Sequence, residues 1–92
     1  MNKAELITSM AEKSELSKKD AELALKAFIS SVEEAVSCGE KVQLIGFGTF
    51  EPRERSQRTG HNPRTGEPIN IPATIVPVFK AGKDFKARVK NR

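Results

Sequence analysis

The stretch Glu51-Pro52-Arg53-Glu54-Arg55-Ser56-Gln57-Arg58-Thr59-Gly60-His61-Asn62-Pro63-Arg64-Thr65-Gly66-Glu67-Pro68-Ile69-Asn70-Ile71-Pro72-Ala73-Thr74-Ile75-Val76 differs in character from what flanks it. Its outgoing leg has no large apolar side chain, and Asn62 to Gly66 has the composition of a tight turn. The return leg contains Pro68 and Pro72, which a strand paired on both sides does not accept. Two readings fit: a two-stranded ribbon over about 52–76 projecting from a body, or a disordered loop. A structureless segment of that length inside a compact domain is uncommon unless it is functional. The ribbon reading therefore sets the fold, and the rest of the chain has to supply the body.

Upstream, Leu6, Ile7, Met10 and Ala11 form one stripe of a short helix over 3–13, opened by Asn2 with Glu5 three residues on. Ser17 and Asp20 repeat that start signal. The helix that follows, 18–37, carries Ala21, Leu25, Phe28, Val32, Ala35 and Val36 on one face. Leu23 and Ile29 leave that stripe, which predicts burial on more than one side. Gly39 stands where a helix end favours a left-handed residue. Two antiparallel helices are thus the expected opening. The period then changes to two: Val42 and Leu44 alternate with Lys41 and Gln43, Gly46-Phe47-Gly48 turns, and Thr49-Phe50 begins the next strand. Beyond the ribbon, Ile75 to Phe79 reads as a strand. A last helix over about 83–90 sets Lys83, Lys86 and Lys90 against Phe85 and Val89.

A chain of 92 residues makes a single domain, here with a helical part at 1–40 and a second part at 41–92. Without the ribbon, fewer than about 70 residues remain to build a core, near the size at which disulfides or metals become necessary. The lone Cys38 supplies neither, and no metal or cofactor is expected. Phe47, Phe50 and Phe79 sit beside turns in a body too small to hide them. This shortage of core points to a twofold homodimer that pools them. No apolar run approaches the ~20 residues of a membrane span, and the start of the chain lacks a signal-like segment, so a cytoplasmic protein is expected.

Charge divides the chain. Residues 1–50 hold 6 Lys or Arg against 8 Asp or Glu, and residues 51–92 hold 10 against 4, together giving the formal +4. A basic half on a near-neutral scaffold is the electrostatic outline of a polyanion binder. Arg53, Arg55, Arg58 and Arg64 line the ribbon beside His61 and Asn62. Guanidinium groups on a narrow ribbon suit a groove with phosphate, sugar and base-edge acceptors. Arg53 and Arg55 share a strand face, whereas Arg58 falls on the other face unless a bulge intervenes. At the tip, Pro63 is either a plain turn residue or an apolar wedge able to open a base step. His61 has no nucleophile or carboxylate pair beside it in the pattern, so neither an enzyme nor a small-molecule substrate is expected.

These residues also carry a resemblance. Gly46-Phe47-Gly48-Thr49-Phe50, followed by Arg53, Arg55, Arg58, Gly60 and Asn62-Pro63-Arg64-Thr65-Gly66, is similar to the signature of the bacterial histone-like HU and integration host factor family. The likeness runs from Met1-Asn2-Lys3 to Ala81-Gly82-Lys83. It implies an α+β fold: an intertwined dimer with a helical base, a short antiparallel sheet and a long β-ribbon arm per subunit. It implies a nucleoid protein that binds double-stranded DNA largely without sequence specificity and bends it, or else a sequence-preferring bender similar to integration host factor. Carried over by position, Pro63 is the intercalating residue, and Arg53, Arg55, Arg58, Asn62 and Arg64 match minor-groove contacts. Lys3, Lys80, Lys83 and Lys86 match phosphate contacts. The chain departs from the family pattern at His61, commonly arginine, at Glu67 and Asn70, commonly basic, and at Pro52 in the arm base. These changes lower the arm's charge and remove a ladder donor.

Overall fold

The computed structural model describes residues 1–92, in the order α1 Lys3–Ser14, α2 Lys18–Ser37, β1 Val42–Leu44, β2 Gly48–Arg55, β3 Arg58–His61, β4 Pro68–Ile71, β5 Thr74–Ala81 and α3 Lys83–Lys90. The chain divides into two compact units, 1–34 and 35–92.

In the first unit the start signals work as their chemistry dictates. Asn2 Oδ1 accepts from the Glu5 amide at 2.9 Å, and Ser17 Oγ accepts from the Asp20 amide at 3.1 Å. Each cap satisfies a donor that the first helical turn would otherwise leave open. Met1, Lys3 and Leu6 at the head of α1 face Leu25 and Ile29 of α2 across an open apolar groove, as antiparallel helices require. Only Ala11 and Ala21 are buried apolar residues here. The second side of α2 expected to be buried is instead open within one chain, Leu23 being 56% and Ile29 43% exposed.

The second unit begins as α2 ends. Gly39 takes φ +87°, and the Glu40 amide donates to Ala35 C=O at 2.9 Å while the Gly39 amide donates to Val36 C=O at 3.0 Å. These paired bonds close the helix terminus and absorb its last carbonyls. A turn closed by the Phe47 amide on Leu44 C=O, 2.9 Å, leads from β1 into β2. The antiparallel order β1-β2-β5 follows, with Val42 opposite Phe50 and Phe50 opposite Phe79.

Alternation gives this sheet two unlike faces. One carries Val42, Leu44, Phe50 and Phe79. Phe50 and Phe79 have ring centroids 4.8 Å apart, Phe47 lies 5.2 Å from Phe79, and Phe85 of α3 stacks on Phe47 at 5.3 Å. The Gly82 amide donates to Phe47 C=O at 2.7 Å, tying the start of α3 to the turn. Four phenylalanines thus cluster within one chain, yet Phe47 and Phe79 stay 43% and 39% exposed, and no large side chain is fully buried. The packing side of α3 holds for Phe85 but not for Val89, which is 55% exposed. The other sheet face presents Thr49, Glu51, Arg53, Val76, Val78 and Lys80.

The segment 52–76 is a ribbon. β2 and β5 pair from Gly48 opposite Ala81 to Arg55 opposite Thr74, and β3 and β4 from Arg58 opposite Ile71 to His61 opposite Pro68. Two residues on each strand, Ser56-Gln57 and Pro72-Ala73, separate the ladders, so the pairing continues in the same register. The counts match, no residue is inserted, and the bulge open to Arg58 does not occur. Arg58 shares its ladder face with Gly60, Ile69 and Ile71. Pro72, without an N–H, falls in the gap. Pro52 lies directly opposite Pro77. Such a pair is tolerable only where neither N–H would point across the ladder.

Candidate nucleic-acid interface

The arm ends in one helical turn. Asn62 caps it, Oδ1 accepting from the Arg64 amide at 2.9 Å, and the Gly66 amide returns to Asn62 C=O at 2.7 Å. The Asn62 amide donates to Glu67 C=O at 2.8 Å, while Thr65 Oγ1 accepts from the Glu67 amide at 3.3 Å. Pro63 occupies the first position of the turn, where a missing N–H costs nothing and a fixed φ is already suitable. Its ring is exposed at the apex, with Arg64 exposed beside it. Arg58 and His61 stand on β3 and are exposed as well. Arg53 and Arg55 lie on β2, two residues apart on the same face.

At the base of the arm the sheet gathers charge that composition alone did not reveal. Glu51 is the one buried charged residue. Its Oε2 lies 3.3 Å from Lys41 Nζ, and its Oε1 lies 3.6 Å from both Arg53 Nη2 and Lys80 Nζ. The Lys41 hydrogen bond chiefly, with the nearby Lys80 charge, holds the Glu51 carboxyl below the ordinary carboxylate range against the opposing effect of burial. Arg53 and Lys80 are thereby brought together, with Lys41 as a third member. Glu51 and Lys41 escaped the sequence reading. The three-residue connection at 45–47 sets Lys41 opposite Glu51, a pairing that only the register of β1 on β2 reveals.

Lys83 and Lys86 are exposed on α3, one turn apart, and Lys3 is exposed in the first turn of α1 in the other unit. No group of three His, Cys, Asp or Glu side chains is placed to hold a metal ion, and no helix is long and apolar enough to cross a membrane.

Residues 1–90 match the family model described as bacterial DNA-binding protein. The chain belongs to that family. Within it, the chain is 79% identical over 91 residues to the DNA-binding protein HU of Clostridium pasteurianum, covering 99% of this chain and 100% of that one. It is 60% identical over 89 residues to the DNA-binding protein HU of Lactococcus lactis, covering 97% and 98%. Among solved structures, the Anabaena HU–DNA cocrystal superposes with a TM-score of 0.93 at 51% identity over the whole of both chains. HU from Thermotoga maritima gives 0.69 at 37% identity, covering 97% and 98%. The α+β fold with a β-ribbon arm, expected from the resemblance to the HU family, is the fold of these relatives.

Proposed function

We propose that this chain is an architectural protein of the bacterial nucleoid that binds double-stranded DNA and bends it, largely without regard to sequence. The observation that carries the proposal is the arm: a ribbon whose two ladders share one register, with arginines on its outgoing strands and at its tip, ending in a capped turn with an exposed proline at its apex. Each arm enters the minor groove, where Arg53, Arg55, Arg58, His61, Asn62 and Arg64 meet phosphates, sugars and the degenerate base-edge acceptors. Pro63 inserts its ring at a base step. Wedge insertion is the established device of minor-groove architectural proteins, HU among them, with unstacking of a few kcal/mol per step offset by contacts the bend permits. Lys3, Lys80, Lys83 and Lys86 hold phosphates along the flanks of the body.

The working unit is a homodimer in which parts 1–40 and 41–92 serve as one domain. One chain exposes 7767 Å², whereas a folded monomer of 10.1 kDa exposes about 5,300 Å². The half-open Phe47, Phe50 and Phe79 cluster joins its counterpart in the dimer core, and the open faces of Leu23 and Ile29 are covered by the second copy.

Pro63→Ala tests the wedge. With dyes at both ends of a short duplex, energy transfer in the saturated complex should report a smaller bend, while affinity stays within about threefold of the parent. Equal bending by the two proteins overturns the wedge. Competition with random duplex separates the sequence-preferring alternative, which predicts a preference above about 1,000-fold for one site.

A further inference from the structure

The most enclosed charge in the protein lies at the arm base. The Glu51 side chain is 11% exposed, whereas its partners Lys41, Arg53 and Lys80 are 69%, 52% and 62% exposed. The carboxylate sits inside and the three cations reach outward around it. They come from the residue before β1, from β2 and from β5, so the cluster spans the width of the sheet. One negative charge under three positive ones leaves a surplus directed at solvent. Carboxylate and phosphate oxygens compete for the same donors.

We propose that Glu51 is an internal counter-ion that gathers Lys41, Arg53 and Lys80 at the arm base and is the anion a DNA phosphate displaces there. The proposal rests on the DNA-binding reading and adds two residues to it: Lys41 as a phosphate ligand and Glu51 as a positioning residue that weakens binding. In the free protein the carboxylate holds three flexible cations on one face, and an arriving phosphate has to compete with it for their donors. On binding, the cations turn to phosphate and the freed carboxylate takes up a solution cation. That uptake partly cancels the release of counterions from DNA, so the parent has a shallower salt dependence than its cations alone would give.

The test compares Glu51→Gln with the parent by fluorescence anisotropy on one intact duplex across a salt series. Glu54→Gln, which changes net charge equally at an exposed position with no ion pair, is the control. Glu51→Gln should bind about three- to tenfold more tightly near 50 mM salt. Its slope of log K against log salt should be steeper by up to about one unit. Glu54→Gln should move both quantities less. Equal slopes for parent and Glu51→Gln overturn the proposal, as do equal changes in the two variants, which would reduce the effect to net charge. Absence of duplex binding by the parent overturns the DNA reading and this one together, so the two failures are distinguishable. Should Glu51→Gln not fold, the Glu51 carboxyl carbon resonance of the parent reads the same event. It should shift on titration with the duplex, saturating with binding, and an unmoved resonance overturns the proposal.

Discussion

Gly48 shows how tightly the sheet and the phenylalanine cluster fit. A Cβ at this position would lie 2.5 Å from Phe79 Cζ and 2.6 Å from Lys80 C=O, one an aromatic ring held by three neighbours and the other a backbone atom. Neither can yield without moving the strand or the cluster. Gly48→Ala should therefore destabilise the protein by about 1–3 kcal/mol, the usual cost of overpacking. Urea denaturation should show a lower midpoint at an unchanged slope, and an unchanged midpoint would mean that the cluster gives way freely. At this scale the sequence was legible wherever a residue type carries its meaning by itself. Arginines on a stretch poor in apolar residues and a proline inside a turn need no partner to be noticed. Glu51 was not legible, because its meaning lies in cross-strand neighbours. Nothing about one glutamate says that Lys41 stands opposite it and Lys80 diagonal to it until the register is known.

Elements were legible to the extent that their ends are written chemically. Asn2 and Ser17 open α1 and α2 with side-chain acceptors, and Gly39 closes α2 with a left-handed residue. The change from a helical to an alternating period marks β1. The ribbon was less determined, since parity left Arg58 either on the second face or beyond a bulge. Equal residue counts in the ladder gap decide between them, and such an equality cannot be read from one strand. The arm's tip depends on a single side chain in the same way. Asn62 Oδ1 is the acceptor for the Arg64 amide, and its loss leaves that amide to water. Asn62→Ala should cost the turn about 1 kcal/mol, as for other lost caps. In the free protein, backbone order parameters should fall at Arg64, Thr65 and Gly66 and stay level in β5. Order retained at the tip would show that the Gly66 and Glu67 backbone bonds hold it unaided.

For the whole molecule, the deciding quantity is how little a single chain hides. Ala11 and Ala21 are its only buried apolar residues, while Ile45 is 97% and Ile75 70% exposed. Hydrophobic burial is the main favourable contribution to folding, and conformational entropy opposes it at about 1–2 kcal/mol per residue for the backbone alone. Two alanines and a half-open aromatic cluster do not offset that. A core shared between copies does, and its formation is then second order in protein. Melting should consequently depend on concentration, because dissociation and unfolding become one step. For two 92-residue chains, an unfolding enthalpy of about 0.7 kcal/mol per residue gives about 130 kcal/mol per dimer. A 100-fold rise in concentration should then lift the Tm by about 7 °C in circular-dichroism melts. A Tm that stays fixed over that range would require each chain to be stable alone, which this distribution of buried surface does not support.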